Sequence, residues 1–196
     1  AGCPSRVIFL GPMSAAIISG ADDLRSCFHF SSIMDSNLPA TVTPVSALSE
    51  QVVRAFFSAH GLVVVFVPEN EEIPGSYWGE SEAGLIGHQL YLRADTPVHS
   101  ALHEACHFIC MDDARRQALH RDAGGSDTEE NAVCYLQCLL ADELQGYSMR
   151  QCFADMDAWG YTFVLGSASA WFERDSDDAQ VWLRGQGLLP IVTIRS

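Results

Sequence analysis

Two imidazoles and a carboxylate stand within five consecutive residues, His103-Glu104-Ala105-Cys106-His107. The stretch reads as a helix, and on a helix positions i and i+4 lie one above the other on the same face. His103 and His107 therefore offer two nitrogens to one metal ion. Glu104 lies about 100° further round the axis, within reach of a metal-bound water without needing to be a ligand. Zinc in that setting lowers the pKa of its water toward about 7, and Glu104 can take the proton as the water attacks a carbonyl. The bland alternative is a surface helix whose two histidines happen to be four apart. Against it stand Ala101, Leu102, Ala105, Cys106, Phe108, Ile109, Cys110 and Met111, which make the helix almost wholly apolar. Such a helix belongs in a core, where its three polar residues need partners.

Catalytic zinc takes three protein ligands and keeps one position open. The third candidate lies in Thr128-Glu129-Glu130-Asn131-Ala132, at the start of a second long apolar helix. Adjacent carboxylates point about 100° apart, so only one of them faces the motif helix. Glu129 shares its stripe with Ala132, Val133, Leu136, Leu139 and Leu140, and Glu130 with Cys134, Gln137, Cys138 and Ala141. The more apolar stripe should face inward, which selects Glu129. Glu130 then suits a solvated first-turn carboxylate favoured by the helix dipole.

The elements that must position these groups can be traced along the chain. Residues 1 to 45 read as a weakly ordered N-terminal extension ending in a Pro/Ser/Thr-rich linker, and residues 46 to 196 as a single domain. Ser46 is the expected cap of a helix over 47–60 with the stripe Leu48, Val52, Ala55, Phe56 and Ala59; Gly61 stops it. Leu62 to Val67 is a strand rich in β-branched residues. After a turn-rich loop and Tyr77-Trp78, residues 83–86 and 89–93 form a hairpin about Gly87-His88. Thr96 and Pro97 open the motif helix. A short helix over 114–120, the long helix over 128–144, a helical stretch over 149–159 and two terminal helices capped by Ser167 and Ser176 complete the series.

Composition narrows the function. A 196-residue chain that is 48% apolar supports a real core. Its net charge of −14 argues against nucleic acid and anionic membranes as partners. All eleven basic residues are Arg, which removes Schiff-base chemistry and a P-loop lysine. Seven Cys with no Cys-x-x-Cys pair suggest a reducing, cytoplasmic setting. Cys106/Cys110 and Cys134/Cys138 read as small buried hydrophobes, with ligands or bridges as the alternative. The apolar run from Val7 to Ile18 imitates a secretory signal, and residues 1–21 acting as one would place the protein in the periplasm or outside the cell. The run is too short to span a membrane.

His-Glu-x-x-His, about twenty residues, then Glu-x-x-Ala at a helix start resembles the gluzincin branch of zinc metallopeptidases, and most of all the minimal, bacterial ImmA/IrrE-type group. Leu90-Tyr91-Leu92-Arg93 leading into the motif helix is similar to that group as well. The resemblance spans roughly residues 46 to 145. It implies an α+β, zincin-like fold with a small mixed or antiparallel sheet packed on two metal-bearing helices. It further implies His103, His107 and Glu129 as zinc ligands, Glu104 as general base and a peptide or protein substrate. In zincins the strand before the motif helix borders the cleft, so Gln89 to Arg93 is expected to accept an extended peptide as an added strand. Cys106 departs from that family's usual Gly, and the tail after Leu144 does not align. The stretch from Ser100 to Arg116 also resembles the motif region of elongation factor P hydroxylases, which implies iron and oxygen chemistry as the alternative. A metal-binding domain without catalysis is a third reading. The oligomeric state is left open.

The other polar candidates carry plainer readings beside the functional ones. His99 is expected in an exposed first turn, with orientation of His103 as its functional alternative. His88 is a turn residue. His120 with Asp122 reads as a solvated helix end or as an oxyanion group. Tyr147 and Tyr161 are equal candidates for a transition-state donor. Trp159, Trp171, Phe172 and Trp182 read as packing aromatics.

Overall fold

The motif residues lie on a helix, Val98–Cys110, of which ten of thirteen residues are buried. Of its apolar residues only Ile109 keeps some exposure, so neighbours must cover nearly the whole helix. The computed structural model describes the backbone of Ile8 and Phe9 together with residues 42–76, 81–120 and 123–190. In chain order the elements are β1 (Ile8–Phe9), a 3-10 turn (Val45–Ala47), α1 (Glu50–Ala59), β2 (Val63–Phe66), β3 (Gly84–Ile86), β4 (Gln89–Leu92) and α2 (Val98–Cys110). They continue with α3 (Asp113–Ala118), α4 (Asp127–Ala141), α5 (Met149–Trp159), β5 (Tyr161–Thr162), α6 (Ala168–Arg174) and α7 (Asp177–Gly185).

The result is an α+β fold with a small mixed sheet. Strands β3 and β4 lie against one side of α2, and α4 and α5 against the other. The sheet thus packs chiefly on α2, and α4 sits beyond it, sandwiched between α2 and α7. Three of the helix caps differ from expectation. Ser46 falls in the 3-10 turn, and Ser49 caps α1 instead, its hydroxyl accepting from the Val52 N–H at 3.3 Å. The later start accompanies a shifted apolar stripe, so Val53 and Phe57 are the buried residues of α1. At α2 the cap position is Pro97, because the Thr96 hydroxyl turns back to accept from the Arg93 N–H at 2.9 Å. Ser167 caps α6 as expected, whereas Ser176 donates to the Phe172 carbonyl at 2.7 Å and leaves α7 without a side-chain cap.

The sheet order β2-β4-β3 corrects the expected peptide groove. Strand β4 is the middle strand, parallel to β2 and antiparallel to β3, so Gln89 to Leu92 has no free edge. A β-hairpin was legible, but the parallel partner comes from residues 63–66 across a long connection. The outer edges are also covered. Arg54 Nη1 donates to the Val64 carbonyl of β2 at 2.6 Å, and the Pro74–Ser76 backbone lies so close to Gly84 of β3 that a Cβ there would strike it. Both are ordinary ways of closing a sheet edge.

The end of the expected linker is pinned. Val45 N–H donates to the Thr96 carbonyl at 2.7 Å, and Val98 N–H to the Thr43 carbonyl at 2.9 Å. Thr43 N–H also donates to the buried Asp155 at 3.1 Å. Ile8 and Phe9 pair antiparallel with β5. The remaining expectations for residues 1–7 and 10–41, and for Tyr77-Trp78, lie outside the described residues. Among the described residues no helix is long and apolar enough to cross a membrane.

Candidate metal centre

One turn of α2 brings His103 and His107 over each other, with their Nε2 atoms 3.1 Å apart. A carboxylate oxygen of Glu130 completes the triangle, 3.5 Å from His107 Nε2 and 3.9 Å from His103 Nε2. Donors bound at about 2.1 Å to one tetrahedral ion lie about 3.4 Å apart, so the triangle needs only small adjustment. Two ring nitrogens this close repel unless a proton or a cation sits between them. Among the described residues, these three form the group able to hold a metal ion.

Glu130 therefore takes the place expected for Glu129. The neighbouring carboxylate is engaged elsewhere, bonded to Arg115 Nη1 at 2.7 Å. The apolarity argument failed because α4 is buried on both stripes: Ala132, Val133, Leu136 and Leu140 are buried, but so are Cys134, Gln137, Cys138 and Ala141. The former stripe meets other parts of the core. The latter meets α2 through Glu130 and Gln137 and α5 through Cys138, and it is the less apolar one because it carries the polar centre.

The loop before α4 sorts the two carboxylates. Gly125 N–H donates to Glu130 Oε1 at 3.0 Å, which leaves Oε2 for the histidines. The Ser126 hydroxyl caps the helix by accepting from Glu129 N–H at 3.3 Å. A Cβ at Gly125 would run into the Glu129 carboxyl group, so the loop can hug α4 only with glycine there. On the other flank, Asp112 caps α3 at 2.8 Å from Arg115 N–H and so helps place the guanidinium beside Glu129.

Gln137 fixes the orientation of His103. Its side chain is fully buried, and its Oε1 lies 3.0 Å from His103 Nδ1. An amide oxygen only accepts, so Nδ1 carries the proton and Nε2 presents its lone pair to the centre. This is the kind of group that sets tautomer and ring angle in metal sites. It sits on the Glu130 stripe, seven residues on; a buried polar residue in that stripe was the available signal. Burial lowers the pKa of His103, against the pull of the Glu130 carboxylate and the Gln137 bond. Burial also depresses His107 well below its ordinary value, with His103 and Arg115 adding to the effect. Both rings are held in the neutral form that binds metals.

Glu104 is half-buried on α2, and its charge helps raise the pKa of the Tyr161 hydroxyl, which burial raises most. Tyr161 follows Gly160, whose φ of 101° ends α5, and its ring centre lies 6.2 Å from that of His103. It also hydrogen-bonds with Gln137. Of the two tyrosines, Tyr161 is thus the one beside the centre; the Tyr147 hydroxyl donates to Asp155 at 2.8 Å. His99 is fully buried, contrary to its expected exposure, packed edge-on against Trp159 and Tyr161 at 5.3 and 5.7 Å. Among the described residues neither of its nitrogens has a hydrogen-bond partner. Its covering residues lie 60 and 62 positions after it in the chain, which local periodicity does not reveal. His88 is an exposed turn residue and His120 is exposed, while Asp122 lies outside the described residues.

Fold and site together define an α+β protein whose two core helices bring two histidines and one glutamate to a single point. No family model, curated protein or solved structure matches the chain.

Proposed function

We propose that the protein is a zinc-dependent metallohydrolase of zincin-like build that cleaves peptide bonds in a peptide or protein substrate. The observation that carries this reading is the convergence of His103, His107 and Glu130, with Glu104 on the next position of the same helix. Zinc held by such donors acidifies its water and polarises a carbonyl. The chain's own work is then distinct. Gln137 and Gly125 hold His103 and Glu130 in place, and Glu104 accepts a proton from the attacking water and returns it to the leaving amine. Tyr161, whose ring centre lies 6.2 Å from that of His103, is the hydroxyl that would donate to a developing oxyanion. Its raised pKa keeps that proton in place at neutral pH. Glu104→Gln should remove hydrolysis of a generic peptide library while leaving the metal bound. Undiminished cleavage by that variant would refute the general-base role.

The donor set itself favours a second reading. Two histidines and one carboxylate are also the facial triad of non-haem iron oxygenases. Protein purified with ferrous iron and giving oxygen-dependent hydroxylation insensitive to Glu104→Gln would establish that reading over hydrolysis.

A further inference from the structure

Where α2, α4 and α5 meet, the core is rich in sulfur. Cys106, Cys138, Cys152 and Met156 have no exposed surface, and Cys134 is 2% exposed. Three of these sulfurs converge. Cys138 Sγ lies 3.7 Å from Met156 Sδ, Cys152 Sγ lies 3.8 Å from the same atom, and the two thiols are in hydrogen-bonding contact with each other. We propose that Cys138, Cys152 and Met156 form a three-coordinate sulfur site for a soft monovalent cation of the copper(I) class, separate from the histidine centre.

Geometry is the first support. Metal–sulfur bonds of about 2.3 Å at 120° place sulfurs about 4.0 Å apart, so the two sides that meet at Met156 need to open by only a few tenths of an ångström. Donor chemistry is the second. Two thiols and a thioether are soft ligands that select copper(I), whereas zinc prefers four donors and seldom takes a thioether. Charge is the third. Copper(I) displaces the protons of both thiols, because the thiolate is the ligand, and the single net negative charge left on the buried set needs a hydrogen-bond donor beside it. The polar groups against Cys152 suit that exchange. Gln137 Nε2 lies 3.8 Å from its sulfur and can donate to a thiolate, while the Tyr147 hydroxyl, whose own proton goes to Asp155, is also in hydrogen-bonding contact with Cys152.

Gln137 also joins this cluster to the histidine centre, since its other end holds His103. A cation at the sulfurs would therefore stiffen the group that orients a ligand of the first site.

The test is anaerobic titration of the reduced full-length protein with copper(I) against the chelator bicinchoninate. It is repeated after refolding in the presence of copper(I), so that burial does not hide the site. One tightly held ion per chain is expected, retained in a His103→Ala/His107→Ala double variant. X-ray absorption should show about three sulfur neighbours near 2.3 Å and no nitrogen. Cys138→Ser and the volume-conserving Met156→Leu should each weaken binding at least 100-fold, with melting curves confirming a folded protein. Nitrogen neighbours, loss of the ion with the two histidines, unchanged affinity in Met156→Leu, or no ion held against the chelator would each overturn the site.

Discussion

Helices α2 and α4 meet along two chemically different stretches. At the first turn of α4 the donors are nitrogen and oxygen, and they reach solvent: Glu130 keeps 31% of its side-chain surface and His103 keeps 13%. One to two turns deeper, where α5 joins them, the donors are sulfur and closed to water. Depth along one interface thus separates a borderline, accessible set from a soft, sealed one. Catalysis on a peptide needs the first kind, because substrate and water must reach the ion. Gln137 stands at the junction, with one end on His103 and the other on Cys152.

The sharpest way to break this comparison is to remove a nitrogen donor. His107→Ala should abolish stoichiometric zinc binding in isothermal titration while leaving the thiol count by a chromogenic reagent under denaturing conditions unchanged. Zinc held as tightly as by the wild type would show that the two stretches are not separate. The next effect distinguishes neighbours. Glu130→Gln should lose most zinc affinity, whereas Glu129→Gln should retain zinc and cost about 1 kcal/mol in denaturant unfolding through its partly exposed pair with Arg115. Equal zinc affinities in the two variants would refute the assignment of Glu130.

A smaller effect belongs to the junction. Gln137→Leu should weaken zinc about 10- to 100-fold by freeing the His103 ring, without changing the number of ions bound at saturation. The smallest concerns His99, whose pKa burial lowers from 6.5 to about 3. The unfolded chain then takes up a proton that the folded chain refuses. Its share of stability is complete above pH 6.5 and is lost as the pH falls toward 3, at up to about 1.4 kcal/mol per pH unit. His99→Phe should remove that dependence, so its melting temperature should exceed the wild type's by a margin that widens on acidification. Parallel curves would contradict the buried, neutral His99.

Local patterns were legible before the fold was known. The His-Glu-x-x-His helix, its burial and the α4 start carrying a ligand all follow from i, i+4 spacing and apolar flanks. The choice between Glu129 and Glu130 did not follow, because α4 is covered on two faces and apolarity no longer marks one side as inward. The middle position of β4 was hidden for a related reason, since its parallel partner β2 arrives from more than twenty residues upstream. His99 does lie in the first turn of α2, but Trp159 at the end of α5 and Tyr161 in β5 return to pack against it. In the sequence Arg115 is marked only as part of the stretch resembling the hydroxylase motif region, yet in the structure it pairs with Glu129 at 2.7 Å.

The most direct test of the metal centre is elemental mass spectrometry on protein expressed and purified without added metal, comparing the wild type with Glu130→Ala and Glu129→Ala. Convergence of His103, His107 and Glu130 predicts about one zinc per chain in the wild type, about one in Glu129→Ala and a small fraction in Glu130→Ala. A full complement of zinc in Glu130→Ala, or a wild type that carries none and takes up none on dialysis against zinc, would contradict it.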